Sequence, residues 1–274
     1  MTPAEQYASK RAESIAIIEK LTPQSLRASF IELLRPAIAI RAVRAEDKTI
    51  AIGASKFGGV PDVPDGFEWP HWEDAPLNFV AQISLEETTA LDAGNLLPSS
   101  GVLSFFYYEM NSEEEEPYLV SGLLEEKGAW RTFHFTSPLK RTTGPLGWHR
   151  EFGSVGTAKI AATLAVDFPR YAEELEHGNA EAVAAFEAVR NVIATDSLHV
   201  MLGYPFPMTE RDARYHVAET TGRGTYRDWV MLFQVNTDRE LDYNWGDAGA
   251  MFYFIHRDDL KAGDFSKVWL IGES

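Results

Sequence analysis

The chain has 274 residues and no cysteine. That absence removes disulfide frameworks, thiolate nucleophiles and zinc–thiolate centres from consideration. Long apolar runs are missing too, since nowhere do 18 apolar residues follow one another, so no transmembrane helix is expected. The first twenty residues carry Glu5, Lys10, Arg11, Glu13 and Glu19, where a secretory leader needs an unbroken apolar core. Together these absences make a soluble cytoplasmic protein the expectation, with no membrane partner.

Basic residues are scarce, 25 Lys+Arg against 41 Asp+Glu, for a net charge of −16. The deficit is uneven: residues 1–50 hold 8 basic and 6 acidic side chains, whereas residues 51–274 hold 17 and 35. Such a field repels phosphate backbones, which argues against nucleic-acid binding, and it would steer a basic protein partner inward. The same charge also keeps a protein soluble without any partner.

Catalytic signatures are absent as well. The chain contains no Gly-x-Ser-x-Gly elbow, no phosphate-binding Gly-x-x-x-x-Gly-Lys-Ser/Thr loop and no His-Glu-x-x-His pair. Residues 153–159 resemble a phosphate loop only superficially, because the glycine-to-lysine spacing is wrong. The seven histidines, at 71, 134, 149, 177, 199, 216 and 256, show no ligand spacing, so neither metal nor cofactor is expected.

What the chain does contain is a pair of apolar runs, 229–235 and 245–255, flanking a polar loop with Asp242, Asn244, Trp245 and Asp247. They read as strands around a turn. Three anchors from the first half, Gly59-Val60-Pro61, Gln82-Ile83 and the run from Gly101 to Phe106, return in the same order. Their counterparts are Gly203-Tyr204-Pro205, Gln234-Val235 and the run from Gly249 to Phe254. An internal repeat of two related sheet halves is therefore expected.

Around these anchors, Tyr7, Ala8, Ala12, Ile15 and Ile18 recur at helical spacing, and a second helix restarts at Thr22-Pro23 and ends near Pro36. Ile38, Ile40 and Ala42 alternate, and with residues 49–52 they suggest a hairpin around Glu46-Asp47. Residues 55–64 read as an ordered irregular loop, and 77–85 as a strand in which Gln82 interrupts an apolar run. The four carboxylates at 113–116 belong in a solvated loop, followed by a strand near Trp130, Phe133 and Phe135. Helices are expected at 169–176 and at 179–194, with Asn179 as N-cap. The fold class is α+β, mostly antiparallel sheet in one domain over 1–274. N-terminal helices occupy 1–36, a first half about 37–142, a helical bridge about 143–195 and a second half about 196–274.

Several of these stretches resemble one family. Ser55 to Pro61, Trp69-Pro70, Pro76 to Ile83, Leu97-Pro98, Gly101 to Phe106, His199, Leu202 to Pro205, Trp229, Gln234, Trp245 to Gly249, Phe254-Ile255, Asp259-Leu260 and Phe265 look like the YwqG-like proteins of bacteria, a domain of unknown function (DUF1963). The likeness spans about residue 50 to the end. It implies no settled reaction, although some members are proposed to be immunity proteins of toxin systems.

Polar residues set in apolar surroundings form the candidate site: Lys56, Trp69, Gln82, His199, Gln234, Asp242, Trp245 and Asp247. A buried amide must find partners for two donors and an acceptor. Gln82 and Gln234 therefore either tie down the Gly-x-Pro loops or line a groove between the halves, where Lys56 and Asp247 would offer opposite charges. Asp242 and Asp247 could hold a hard cation or bond their own backbone. The expected function is a non-catalytic protein-binding module, of immunity type by resemblance; the alternative is a small-ligand binder or hydrolase using a cleft between the halves.

Overall fold

The computed structural model describes residues 1–108, 120–142, 144, 156–171, 180–207, 209, 211–245 and 248–274. Helix α1 (Pro3–Leu21) opens on a reciprocal cap: the Thr2 hydroxyl accepts from the Glu5 amide at 3.2 Å and the Glu5 carboxylate from the Thr2 amide at 2.8 Å. Such a box satisfies donors that the first helical turn leaves open. The restart after Thr22-Pro23 is shorter than the spacing predicts, a 3-10 turn at Gln24–Leu26 followed by α2 (Arg27–Glu32).

Strand β1 (Arg35–Arg44) absorbs Pro36 and buries Ile38, Ile40 and Ala42 on one side. The expected hairpin to 49–52 does not form, because Asp47–Thr49 closes a 3-10 turn. The partner of β1 lies far downstream. After β2 (Lys56–Phe57), β3 (Asp62–Pro64), β4 (His71–Trp72), β5 (Ala75–Pro76), β6 (Asn78–Ser84), α3 (Leu85–Thr89), β7 (Val102–Tyr107), β8 (Trp130–Phe135) and β9 (Leu139–Arg141) comes β10 (Ala158–Asp167). It pairs antiparallel with the whole of β1, from Arg35 opposite Asp167 to Arg44 opposite Ala158. The stretch expected as a helical bridge thus holds the longest partner strand as well as α4 (Ala180–Ile193). Its alanines favour helix locally, but ten ladder pairs override that preference. Asn179, most of the helix expected at 169–176 and the carboxylates at 113–116 lie outside the described residues.

The chain ends with β11 (His199–Met201), α5 (Ala213–Thr221), β12 (Trp229–Asn236), β13 (Ala250–His256), α6 (Arg257–Ala262) and β14 (Trp269–Glu273). Ten strands form one antiparallel sheet in the order β14-β13-β12-β11-β1-β10-β2-β6-β7-β8. On either side of the central β1–β10 pair stands a four-strand wing. The sheet curls until its ends meet: the Trp130 indole on β8 donates to the Val268 carbonyl and the Trp269 indole on β14 to the Gly122 carbonyl, both at 2.9 Å. Gly122 has φ +94°, and a Cβ there would strike the Leu270 carbonyl, so only glycine permits this seam.

Inside the curl, residues from both wings share one apolar core, with Phe105 4.9 Å from both Phe233 and Tyr253. A second core lies where α1, α2 and α4 cover the central strands, with Phe30, Phe168 and Phe186 packed at 5.0–6.0 Å. Among the described residues no helix is long and apolar enough to cross a membrane.

Candidate functional site

Gln82 lies on β6 two residues beyond a bulge at Val80, opposite Lys56 on one side and Ser104 on the other. Its amide is fully used: Oε1 accepts from the Asp62 amide at 2.9 Å, and Nε2 donates to the Ala54 carbonyl and to Asp62 Oδ2, both at 2.8 Å. Asp62 also accepts from the Gly53 amide and from Arg141 Nε, each at 2.9 Å. Nearby, Lys56 is fully buried and its ammonium donates to Asp47 at 2.7 Å and to the Val60 carbonyl. Arg141 closes the circuit, 3.2 Å from Asp47. Two cations and two carboxylates thereby cancel. Burial pulls the Lys56 ammonium down, against Asp47 and Asp62. For Asp62, burial pushes upward, but the bonds from Arg141, Gly53 and Gln82 outweigh it and leave the carboxyl below its ordinary value.

Gln234 stands on β12, also two residues beyond a bulge, here at Leu232. Its Oε1 accepts from the Phe206 amide at 2.9 Å and its Nε2 donates to Asn236 Oδ1 at 2.5 Å. His199 completes this centre. Its Nδ1 accepts from the Asn236 amide at 3.3 Å, which assigns the proton to Nε2, 3.1 Å from Asp238 Oδ2. That bond, with the Glu240 amide at 2.8 Å, holds the Asp238 carboxyl below its usual value.

The remaining candidates lie elsewhere. Trp245 is buried beside Tyr243 at 5.2 Å and Tyr107 at 5.6 Å. Asp242 sits at the surface with φ +56°, 3.6 Å from Arg44. Asp247 lies outside the described residues. Trp69, half-buried, donates its indole to the Leu77 carbonyl at 2.9 Å and packs edge-on against Phe106 at 5.5 Å. With Phe67, Trp72, Tyr108 and Phe133 it covers Leu77, Phe79 and Phe106 on the outer face of the first wing. The loop that frames this cluster, residues 62–76, contains five carboxylates and no lysine or arginine. Asp65, Glu68, Glu73 and Asp74 among them are exposed.

A cleft that none of the predicted residues lines opens between α2, the start of β1 and the α5–α6 region. One compartment of about 350 Å³ is lined by Arg35, Arg214, Arg227 and Arg257 together with Tyr171, Tyr204, Tyr215 and Tyr226, and by Glu32 and Asp212. A second, of about 260 Å³, shares Glu32, Arg35, Tyr204 and Arg257 and reaches Leu91 and Leu96 beyond α3. The Arg35 guanidinium stacks 3.3 Å from the Tyr204 ring centroid, and Tyr215 stacks on Tyr226 at 4.0 Å. Arg214 is held by Asp212 at 2.6 Å. Burial and Tyr215 push the Tyr226 hydroxyl up to about 12, so it stays a neutral donor at neutral pH. Sequence reading missed this cleft because its arginines are spread from residue 35 to 257 in a chain dominated by acid. Tyr204, within Gly203-Tyr204-Pro205, was the one local signal.

Among the described residues, no group of three or more His, Asp or Glu side chains could hold a metal ion. No curated protein matches the chain. The family described as Domain of unknown function (DUF1963) matches residues 55–273, from just before β2 to the end of β14. Both glutamines and most of the cleft lie within that match, and the chain belongs to the DUF1963 family.

Proposed function

We propose that the chain is a non-catalytic protein-binding module that receives a basic protein partner on the acidic aromatic face of its first wing. The observation that carries this reading is the half-buried cluster of Phe67, Trp69 and Trp72 framed by the exposed carboxylates Asp65, Glu68, Glu73 and Asp74, with Asp65 paired to Lys140. Partly exposed tryptophans supply the large contact area typical of binding hot spots, and their ring faces also attract lysine and arginine. The surrounding carboxylates steer such a partner in from solution. Within this proposal the chain belongs to the YwqG-like branch of its family, resides in the cytoplasm and plays an immunity-type role toward a basic toxin. The ordered motifs from Ser55 to Phe265 support that finer placement.

A partner captured from a lysate should associate more slowly as salt rises, because exposed charges are screened over about 10 Å at 0.1 M. Reversing Glu68 and Asp74 together to lysine, both at exposed positions, should lower its on-rate about tenfold. An on-rate indifferent to both salt and charge reversal would sink the reading.

A second reading, small-ligand binding, is favoured by the arginine–tyrosine cleft, which opens between the N-terminal helices, the central strands and the second wing and not between the two wings. That cleft presents cations and phenol rings, which suits binding better than hydrolysis.

A further inference from the structure

We propose that the arginine–tyrosine cleft binds a small organic oxyanion, a carboxylate or phosphate carried on a flat ring. This deepens the small-ligand reading and is independent of the basic-partner face.

The first ground is an imbalance of charge. The larger compartment is lined by four arginines and two carboxylates, in a chain whose net charge is −16. Arg214 is neutralised by Asp212 through a two-pronged pair. Arg35 and Arg257, which line both compartments, form no ion pair with any described carboxylate. Arg257 donates Nε to the Arg227 carbonyl at 2.9 Å, and Arg35 rests face-on against Tyr204. A guanidinium stays charged at neutral pH. Arg35, half-buried, loses hydration that its ring contact with Tyr204 and the Asp167 carboxylate across the ladder replace only in part, a cost that an arriving oxyanion removes; exposed Arg257 adds a second cation at the mouth.

Geometry supplies the second ground. Stacking on Tyr204 leaves the guanidinium edge of Arg35 as the part able to donate, and that edge matches the two oxygens of a carboxylate or phosphate. The Tyr204 hydroxyl is anchored to the Leu33 carbonyl at 2.8 Å, and the Tyr204 amide to Asp167 at 2.8 Å, so the platform beneath Arg35 is fixed in advance. The stacked pair Tyr215–Tyr226, with Arg211 over the one ring and Arg227 over the other, lines the same compartment and adds aromatic and cationic surface to it. A volume of about 350 Å³ suits a ring with one anionic group. The acidic remainder of the chain opposes entry of long polyanions but acts weakly beyond about 10 Å at physiological salt, which selects for a compact anion.

Phenyl phosphate, benzoate, inorganic phosphate and benzyl alcohol, titrated calorimetrically into the full chain, test this. Phenyl phosphate or benzoate should bind, and whichever binds more tightly identifies the oxyanion. Inorganic phosphate should bind about tenfold more weakly, for want of ring stacking. Arg35→Gln and Arg257→Gln should each weaken binding about tenfold. Arg257 is exposed at the start of α6, so its variant gives a reading even where Arg35→Gln disturbs β1. No heat from phenyl phosphate or benzoate at millimolar concentration, or affinities unchanged in Arg257→Gln, would overturn the proposal. Benzyl alcohol binding as well as the anions would overturn it too, while leaving the broader small-ligand reading standing.

Discussion

The two wings of the sheet solve one problem in two ways. In each, a glutamine two residues beyond a strand bulge accepts a hydrogen bond at 2.9 Å from the amide that follows a Gly-x-Pro sequence, Gln82 from Asp62 and Gln234 from Phe206. Proline removes a donor from the loop, so the next amide is the first that can anchor it to the sheet. The side chains at these two positions then diverge. Asp62 turns inward, is fully buried and collects donors from Gly53, Gln82 and Arg141. Phe206 turns outward, 47% exposed, with the Arg170 guanidinium 4.6 Å from its ring centroid. The shared requirement is therefore a backbone bond. The side chain at that position is free to become an ionic anchor in one wing and a surface ring in the other.

The sharpest way to break this comparison is at Asp62. Asp62→Ala strips acceptors from Arg141, Gln82 and the Gly53 amide at once, and breaking a buried charge network in this way should cost about 3–5 kcal/mol, measurable by urea unfolding. Phe206→Ala, its positional counterpart, should cost far less. Equal losses would show that the two positions carry the same load.

A smaller contrast separates the glutamines themselves. Gln82→Leu leaves the Asp62 amide, the Ala54 carbonyl and one Asp62 oxygen without that partner, whereas Gln234→Leu abandons the Phe206 amide and Asn236 Oδ1. With about 1–3 kcal/mol for each buried group left unsatisfied, Gln82→Leu should be the more damaging by about 1–2 kcal/mol. A reversed order would place the heavier load on the second wing.

The least effect concerns acid. Asp62 and Asp238 both have folded-state pKa values below their unfolded ones. Each therefore contributes stability that is present above about pH 4 and is lost as pH falls through the folded value. The slope of unfolding free energy between about pH 3 and 5 should flatten in Asp62→Asn and, less, in Asp238→Asn, whose main partner is a single histidine. A slope unchanged in both variants would show that acid unfolding is driven elsewhere.

Much of this architecture is legible in local pattern. The helical spacing through Ile18 matches α1, and the apolar runs around Gln82 and Gln234 match β6 and β12. Gln82 and Gln234 stand out because an amide inside an apolar strand must be paired, and both prove to hold Gly-x-Pro loops. The Ala-rich β10 was not legible as a strand, because its identity depends on β1, more than a hundred residues earlier. The hairpin expected after Ile38 failed for the same reason: β1 found β10 and β11 in place of its sequence neighbour.

By itself the sequence determined what depends on composition and short spacing: the absence of thiol chemistry, the acidic balance, the first helix, the strands around each glutamine and the mostly antiparallel α+β class. Only tertiary structure decided which groups share a space. It separated the seven described candidate residues into distinct neighbourhoods, closed Lys56 and Gln82 into one network and His199 and Gln234 into another. It also gathered Arg35, Tyr204, Arg214, Tyr226 and Arg257 around one cleft. The physical reason is range. Helical and strand periodicity act over a few residues, whereas burial, ion pairing and cavity shape depend on through-space distance, which strand order and the curl of the sheet determine.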